Sequence, residues 1–392
     1  MTVLDICICL IVFLVGFNLK NFFPNFNATD KKWLNRLFFF HFFIAIVFHF
    51  YVQAFGGDAV KYWELPKSGT FDDVWYLVVN QKASSFMYFF NFFPSNTLEL
   101  SFFTGNMIYA LFGYMGFIYL YRSFTEVFTD NSMLASIKIA RFKLFPLLLF
   151  LPNLHFWSAG IGKDAILFFC IMAFTYSLIN IKKRKYLLVI AILLSVLIRP
   201  HITLFLLVAF GIGYLLDGRL KVYQKTLVFL VFVIGMISIF DYVIQTIQLE
   251  SLEISSIEEF TSTRASNLSE ARTGSGIDTS AYPIPLKIFT FLYRPLFFDI
   301  NGIMAILASI ENFILLLFTG IVLYNRPFRA FKKSNFLLKG IVVYFLLGAI
   351  SFSLILGNLG IMLRQKNMFV PLILLFGIWV IYTNRIRKME QL

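Results

Sequence analysis

Residues 151–169, LPNLHFWSAGIGKDAILFF, set His155, Lys163 and Asp164 between two of the most apolar stretches of the chain. The flanking residues read as membrane-crossing helix, and a charge at the centre of such a helix costs about 3 kcal/mol, less near the interface. A lysine and an aspartate side by side there demand a reason. The rest of the sequence supports the membrane reading. Of its 392 residues 59% are hydrophobic and 14% charged, whereas an ordinary soluble domain carries about 25% charged residues. Inside lipid every backbone polar group must be satisfied within the fold, and apolar runs of this length do that as helices. The fold class is therefore all-α: a polytopic transmembrane bundle, expected as a single integral membrane domain over 1–392. The 51 Phe residues read as lipid-facing filler in preference to stacking sites.

Spans are expected near 2–18, 34–54, 100–121, 140–157, 165–181, 186–199, 201–216, 226–248, 300–324, 337–357 and 368–383, about eleven in all. Asp5 precedes the first run with no basic leader or small-residue cleavage site, so that run reads as a retained helix. Cys7, Cys9 and Cys170 fall in expected spans, which excludes a disulfide framework and gives no metal-ligand spacing. A net charge of +13 raises nucleic acid as a partner, but its distribution argues otherwise. Lys31, Lys32 and Arg36, then Arg122 and Lys143, then KKRK at 182–185, then Arg219, Lys221 and Lys225, then Arg326, Arg329, Lys332 and Lys333, and finally NRIRK at 384–388 occupy alternate loops. That is the bias that keeps cations on the cytoplasmic side. It places the N-terminus outside and the C-terminus in the cytoplasm, and it removes nucleic acid from the partners.

The other loops, a first over 55–99 and a second over 249–299 ending in an interfacial amphipathic helix, are then extracytoplasmic. Cations there run against the rule: Lys163, Arg199, Arg294, Arg364 and Lys366, each abutting an apolar run. Gathered together they would bind an anion, and arginine can hold phosphate oxygens in pairs. Taken singly, each could snorkel to lipid headgroups. Asp164 could cap the first turn of a helix or meet an anion at its N-terminus, with Gly160 and Gly162 allowing close backbone approach. His155 beside Trp157 reads as an interface residue. His201, fixed by Arg199 and Pro200 at a break between spans, is the better base. Asp58, behind Gly56 and Gly57, is either turn chemistry or a general base for a sugar hydroxyl. Asp72 and Asp73 read as solvated surface.

FWSAGIGKDA, RPH, FLYRPLFFD followed by ASIEN, and GNLGIMLRQK, together with GGDAVKYW in the first loop, resemble bacterial membrane proteins of the oligosaccharide repeat-unit polymerase (O-antigen polymerase-like) family. The likeness runs in order from about residue 55 to 371. It implies a multi-spanning fold in the style of C-type glycosyltransferases and O-antigen polymerases, in the bacterial inner membrane. The implied substrate is a lipid-linked oligosaccharide on undecaprenyl diphosphate, with flippase and chain-length regulator proteins as partners. Arg199, Arg294 and Arg364 are the implied diphosphate-binding residues; Gln365 departs from the pattern, standing where an aromatic residue often follows the arginine. No cofactor or metal is implied, and the outer loops offer no ligand cluster. The rival functions are a single-addition C-type glycosyltransferase or O-antigen-type ligase, and a transporter of lipid-linked saccharide. Transport is disfavoured because the charges sit at one face and no internal repeat is visible.

Overall fold

The computed structural model describes residues 1–23, 26–80, 84–128, 130–139, 142–218, 221–227, 229–230, 233–234, 275–279 and 281–391. Most of the expected span 226–248, and the loop from 249 to 274, lie outside the described residues. The described residues are overwhelmingly helical, as the apolar runs require. One short antiparallel ladder, β1 (Lys138–Ile139) with β2 (Phe142–Lys143), and an isolated antiparallel bridge of Gly276 with Asn358 are the exceptions. Among the described residues five helices can cross a membrane by length and composition, and a sixth if one pair bent by 110° is counted as a single span. Membrane embedding and helical class follow from these helices.

The chain divides into two compact units. The first comprises residues 1–127 and 146–199. Its helices are α1 (Val3–Asn18), α2 (Ala28–Phe55), α3 (Asp58–Ser68), α4 (Phe71–Val79), α5 (Ser85–Phe92), α6 (Phe102–Val127), α9 (Pro152–Ser158), α10 (Lys163–Ile179) and α11 (Ile181–Ile198). α7 (Asn131–Ser136) and α8 (Leu144–Leu147) are short pieces between α6 and α9. Capping boxes open α1 (Thr2 with Asp5), α2 (Asn27 with Asp30) and α4 (Thr70 with Asp73), each satisfying amides that a helix start leaves unpaired. Two of these carboxylates also bind α6. Asp5 accepts from the Ser101 amide at 2.8 Å and the Thr104 hydroxyl at 2.6 Å, and Asp30 accepts from the Tyr121 hydroxyl at 2.8 Å. α6 and α10 form the buried centre of this unit, while α1 and α11 leave large apolar side chains exposed for lipid. Glycine lets α6 approach its neighbours: a Cβ on Gly113 would meet the Ser158 carbonyl at 2.0 Å and His41 Nε2 at 2.8 Å.

The expected span 140–157 is not one helix. It begins in the β1–β2 hairpin, passes through α8 and a 3₁₀ turn at Leu148–Phe150, and ends in α9. Pro146 and Pro152 lie inside it, and each removes a backbone donor that a continuous helix needs. The first large loop, 55–99, is itself helical, holding α3, α4 and α5.

The second unit comprises residues 128–145 and 200–392. Among the described residues its helices are α7, α12 (Pro200–Leu215), α13 (Ile284–Tyr293), α14 (Ile303–Tyr324), α15 (Pro327–Lys333), α16 (Phe336–Ile355), α17 (Leu359–Lys366) and α18 (Val370–Met389). α12 and α16 pack backbone to backbone, since a Cβ on Gly213 would fall 2.5 Å from the Gly340 nitrogen. Small residues at a helix crossing supply the van der Waals contact that drives association within lipid, where the hydrophobic effect gives little. α13 packs on both α16 and α17, which brings the segment around Arg294 beside the segment around Arg364.

Candidate functional site

In the first unit the chemistry gathers where α9 gives way to α10. The chain turns through residues 159–162 and the two helices are bent by 110°. Gly160 makes this turn possible: a Cβ there would lie 2.0 Å from the Phe48 ring. Gly162 has no such neighbour within 3.9 Å, so close approach is required at the first glycine and not the second. Asn106 of α6 supports the turn by accepting from the Ile161 amide at 3.0 Å. α10 then opens with Lys163 and Asp164. Asp164 is buried and forms an ion pair with Arg199, the residue that caps α11, at 3.2 Å. Arg199 is 8% exposed, so it is not a snorkelling side chain. Lys163 is half-buried at the first position of α10, and consecutive helical residues point about 100° apart.

Asp58 stands at the first position of α3 and is exposed. Gly56 at φ +73° and Gly57 at φ +139° make the turn before it, a conformation that favours glycine. Its carboxylate is close enough to Tyr88 of α5 to act on it: burial, and then the Asp58 charge, push the Tyr88 hydroxyl up from its ordinary value. The acidic pair downstream has a structural use, Asp73 capping α4. His155, expected at the interface, is fully buried. Its Nδ1 meets His41 Nδ1 at 2.9 Å, its Nε2 meets the Leu149 carbonyl at 2.7 Å, and its ring stacks on Phe117 at 4.0 Å. It belongs to the core of the unit.

In the second unit three of the segments singled out by sequence fold onto one another. Arg294 follows α13 and its guanidinium forks onto Asp299, with Nε 3.0 Å and Nη2 2.5 Å from the two carboxylate oxygens. Asp299 also accepts from the Leu296 amide at 2.9 Å. The Asp299 hydrogen bond, aided by the Tyr282 side chain, raises Arg294 above its ordinary value against the effect of burial. Burial pushes the Asp299 carboxyl up, but the Arg294 and Leu296 bonds outweigh it and hold it below the usual carboxylate range.

Lys366, the last residue of α17, is wholly buried. Its ammonium donates to Asn312 Oδ1 and to the Leu292 carbonyl, the latter at 3.2 Å. Asn312 in turn donates to the Pro295 carbonyl at 2.8 Å. One lysine therefore ties α17, α14 and the end of α13 together. Burial lowers Lys366 below the ordinary lysine range, and the neighbouring Glu311 opposes that shift in part. Arg364 is half-buried on the same helix. Residues two apart point about 200° apart around a helix, so Lys366 faces inward while Arg364 occupies a different face.

α17 is also held at its start. Asn358 accepts from the Gly360 and Ile361 amides at 3.0 and 3.2 Å, and Ser275 donates to the same oxygen at 3.0 Å. Backbone bonds from Ile277 to Gly357 and from Leu359 to Ser275, both 2.9 Å, pair the two segments. His201 lies in the first turn of α12, half-buried, 6.3 Å from the Phe352 ring of α16. Beneath the end of α13 is an apolar cavity of about 170 Å³ whose walls include Leu292, Leu315, Phe318, Phe345 and Leu374.

Asp58, Lys163, Asp164 and Arg199 thus belong to the first unit, and His201, Arg294, Arg364 and Lys366 to the second. Among the described residues Arg199 pairs with Asp164, and Arg294 with Asp299. Asp299, Glu311 and Asn312 fall within the quoted stretches FLYRPLFFD and ASIEN, but sequence reasoning gives them no role. Their signal is plain in retrospect: Glu311 and Asn312 are adjacent polar residues within an otherwise apolar span, which marks a functional or structural partner. No family model matches the chain, and no curated protein or solved structure matches it.

Proposed function

We propose that this chain is a membrane glycosyltransferase of the repeat-unit polymerase type. It moves a glycan from an undecaprenyl diphosphate carrier onto a hydroxyl of a second lipid-linked oligosaccharide at the outer face of the bacterial cytoplasmic membrane. The proposal includes about eleven spans, with the N-terminus outside and the C-terminus in the cytoplasm. The observation that carries the reading is the fixing of α17 by buried Lys366, which holds Arg364 on a rigid helix packed against α13, the helix that leads into Arg294.

The chemistry needs such an arrangement. The bond from the anomeric carbon to a diphosphate oxygen breaks, and the oxygen leaves with the electron pair. The acceptor oxygen bonds to the same carbon, and its proton passes to a base, for which His201 is the candidate in the unit that carries Arg294 and Arg364. Charge grows on the departing diphosphate, so cations fixed in advance favour the transition state over the ground state. Arg294 has five N–H donors and gives two to Asp299. The carboxylate orients the fork without consuming it. The apolar cavity beneath Leu292 suits the chain of a lipid carrier, a ligand with an anionic head and a hydrocarbon tail.

Expression of the wild-type chain with its polysaccharide precursors is expected to give a ladder of repeats. Arg364→Ala, still inserted in the membrane, is expected to give none. An unchanged ladder in that variant would end the proposal, and a single added unit in the wild type would point to a single-addition transferase or ligase.

A further inference from the structure

α14 ends at Tyr324, and the chain reverses through Asn325 and Arg326 into the short α15. Beside this reversal lies the last part of α18, and between the two is a small cavity of about 40 Å³. Four cations line it: Arg326, Arg329 and Lys333 from the reversal and α15, and Arg387 from α18. No carboxylate does. Like charges at such range repel.

The lining is ordered by side-chain amides. Asn384 donates to Asn325 Oδ1 at 2.7 Å, which turns its own oxygen toward Arg387, whose Nη2 donates to it at 2.7 Å. The Arg387 Nε is buried and has no hydrogen-bond partner among the described residues. Arg326 is held with φ +61°, a left-handed conformation that arginine rarely adopts. The surroundings set the depth of the cleft. It sits where two apolar helices long enough to span a membrane end, α18 in a basic last turn. Tyr324 and Phe328, on its shoulder, are 81% and 82% exposed, and exposed aromatic residues at the end of a span lie at the headgroup level.

We propose that the cleft framed by Arg326, Arg329, Lys333 and Arg387 binds the phosphate group of an anionic phospholipid. Arginine forks match phosphate oxygens in pairs, and each basic side chain near a membrane surface adds to the attraction for anionic lipid. The site does not depend on the transfer reaction.

The test is native mass spectrometry of the intact chain, released from detergent with phosphatidylglycerol or with phosphatidylcholine. Retention of phosphatidylglycerol over phosphatidylcholine is expected. R329Q/R387Q is expected to weaken that retention by about tenfold or more, while K182Q/K183Q, in another basic loop, changes it by less than about twofold. Equal retention in all three proteins, or equal loss in both variants, overturns the proposal. Arg329 is exposed, so R329K leaves the core intact; loss of the fork alone is expected to weaken binding by a few-fold, and no change counts against the site. Inorganic phosphate in large excess is expected not to displace the lipid. If it does, the ligand is a soluble phosphate and the lipid assignment falls.

Discussion

Asp164, in the first turn of α10, and Arg199, the cap of α11, form an ion pair at 3.2 Å with both residues less than 10% exposed. The pair gives the adjacent Lys163 and Asp164 separate duties: the aspartate holds a distant arginine, and the lysine points elsewhere. Removing one member leaves a charge in a poorly solvated place. Asp164→Ala and Arg199→Ala are each expected to cost about 3–5 kcal/mol, whereas D164L/R199M costs much less. Thermal unfolding of the detergent-solubilised protein, arranged as a double-mutant cycle, measures this; independent effects at the two positions would refute it.

Lys366 supplies a second prediction, with a definite sign in pH. Its folded value lies below the ordinary lysine value, so over the interval between the two the unfolded chain binds more protons than the folded one. Stability must rise with pH across that interval, up to about 10.4. Lys366→Met is expected to remove the rise. Asn312→Leu, which leaves the buried ammonium and the Pro295 carbonyl without their partner, is expected to cost about 1–3 kcal/mol at neutral pH.

Asp299 has the opposite dependence. Its carboxyl is held below the ordinary range by Arg294 and the Leu296 amide, so its contribution is complete above about pH 4, the unfolded value, and is lost as pH falls through the folded one. Asp299→Asn is expected to flatten acid unfolding in this range. A titration curve for the variant that overlays the wild type would show that the fork contributes nothing.

Glycine substitutions separate packing from flexibility. A Cβ on Gly213 meets the Gly340 backbone at 2.5 Å, while one on Gly320 meets nothing within 4 Å. Gly213→Ala is expected to destabilise by about 1–3 kcal/mol through forced separation of α12 and α16. Gly320→Ala, near the C-terminal end of α14, is expected to be neutral or to stabilise by about 0.5–1 kcal/mol. Equal melting temperatures for the two variants would contradict the packing described.

Where the sequence is simple it is legible. α14, α16 and α18 begin and end within a few residues of the expected spans, apart from the basic tail that extends α18, because long, mostly apolar runs leave the backbone no alternative in lipid. The expectation over 140–157 fails because composition counts apolar residues, whereas helix continuity depends on the backbone donors missing at Pro146 and Pro152. At the candidate site the cations are legible as charges abutting apolar runs, but their partners are not. Asp299 reaches Arg294 through a 3₁₀ turn that hydropathy does not reveal, and His41 meets His155 across 114 residues of chain. Contacts of that range leave no local pattern. They depend on which faces α2, α6 and α9 present to one another.

The proposed glycan transfer releases one polyprenyl diphosphate for each bond formed. The most direct measurement is the carrier itself: purified protein in liposomes with a diphosphate-linked oligosaccharide, and the free polyprenyl diphosphate determined as product grows. One carrier released per glycosidic bond formed, abolished by Arg364→Ala, is the expected result. Saccharide that crosses the bilayer still attached to its carrier, with no diphosphate set free, would contradict it.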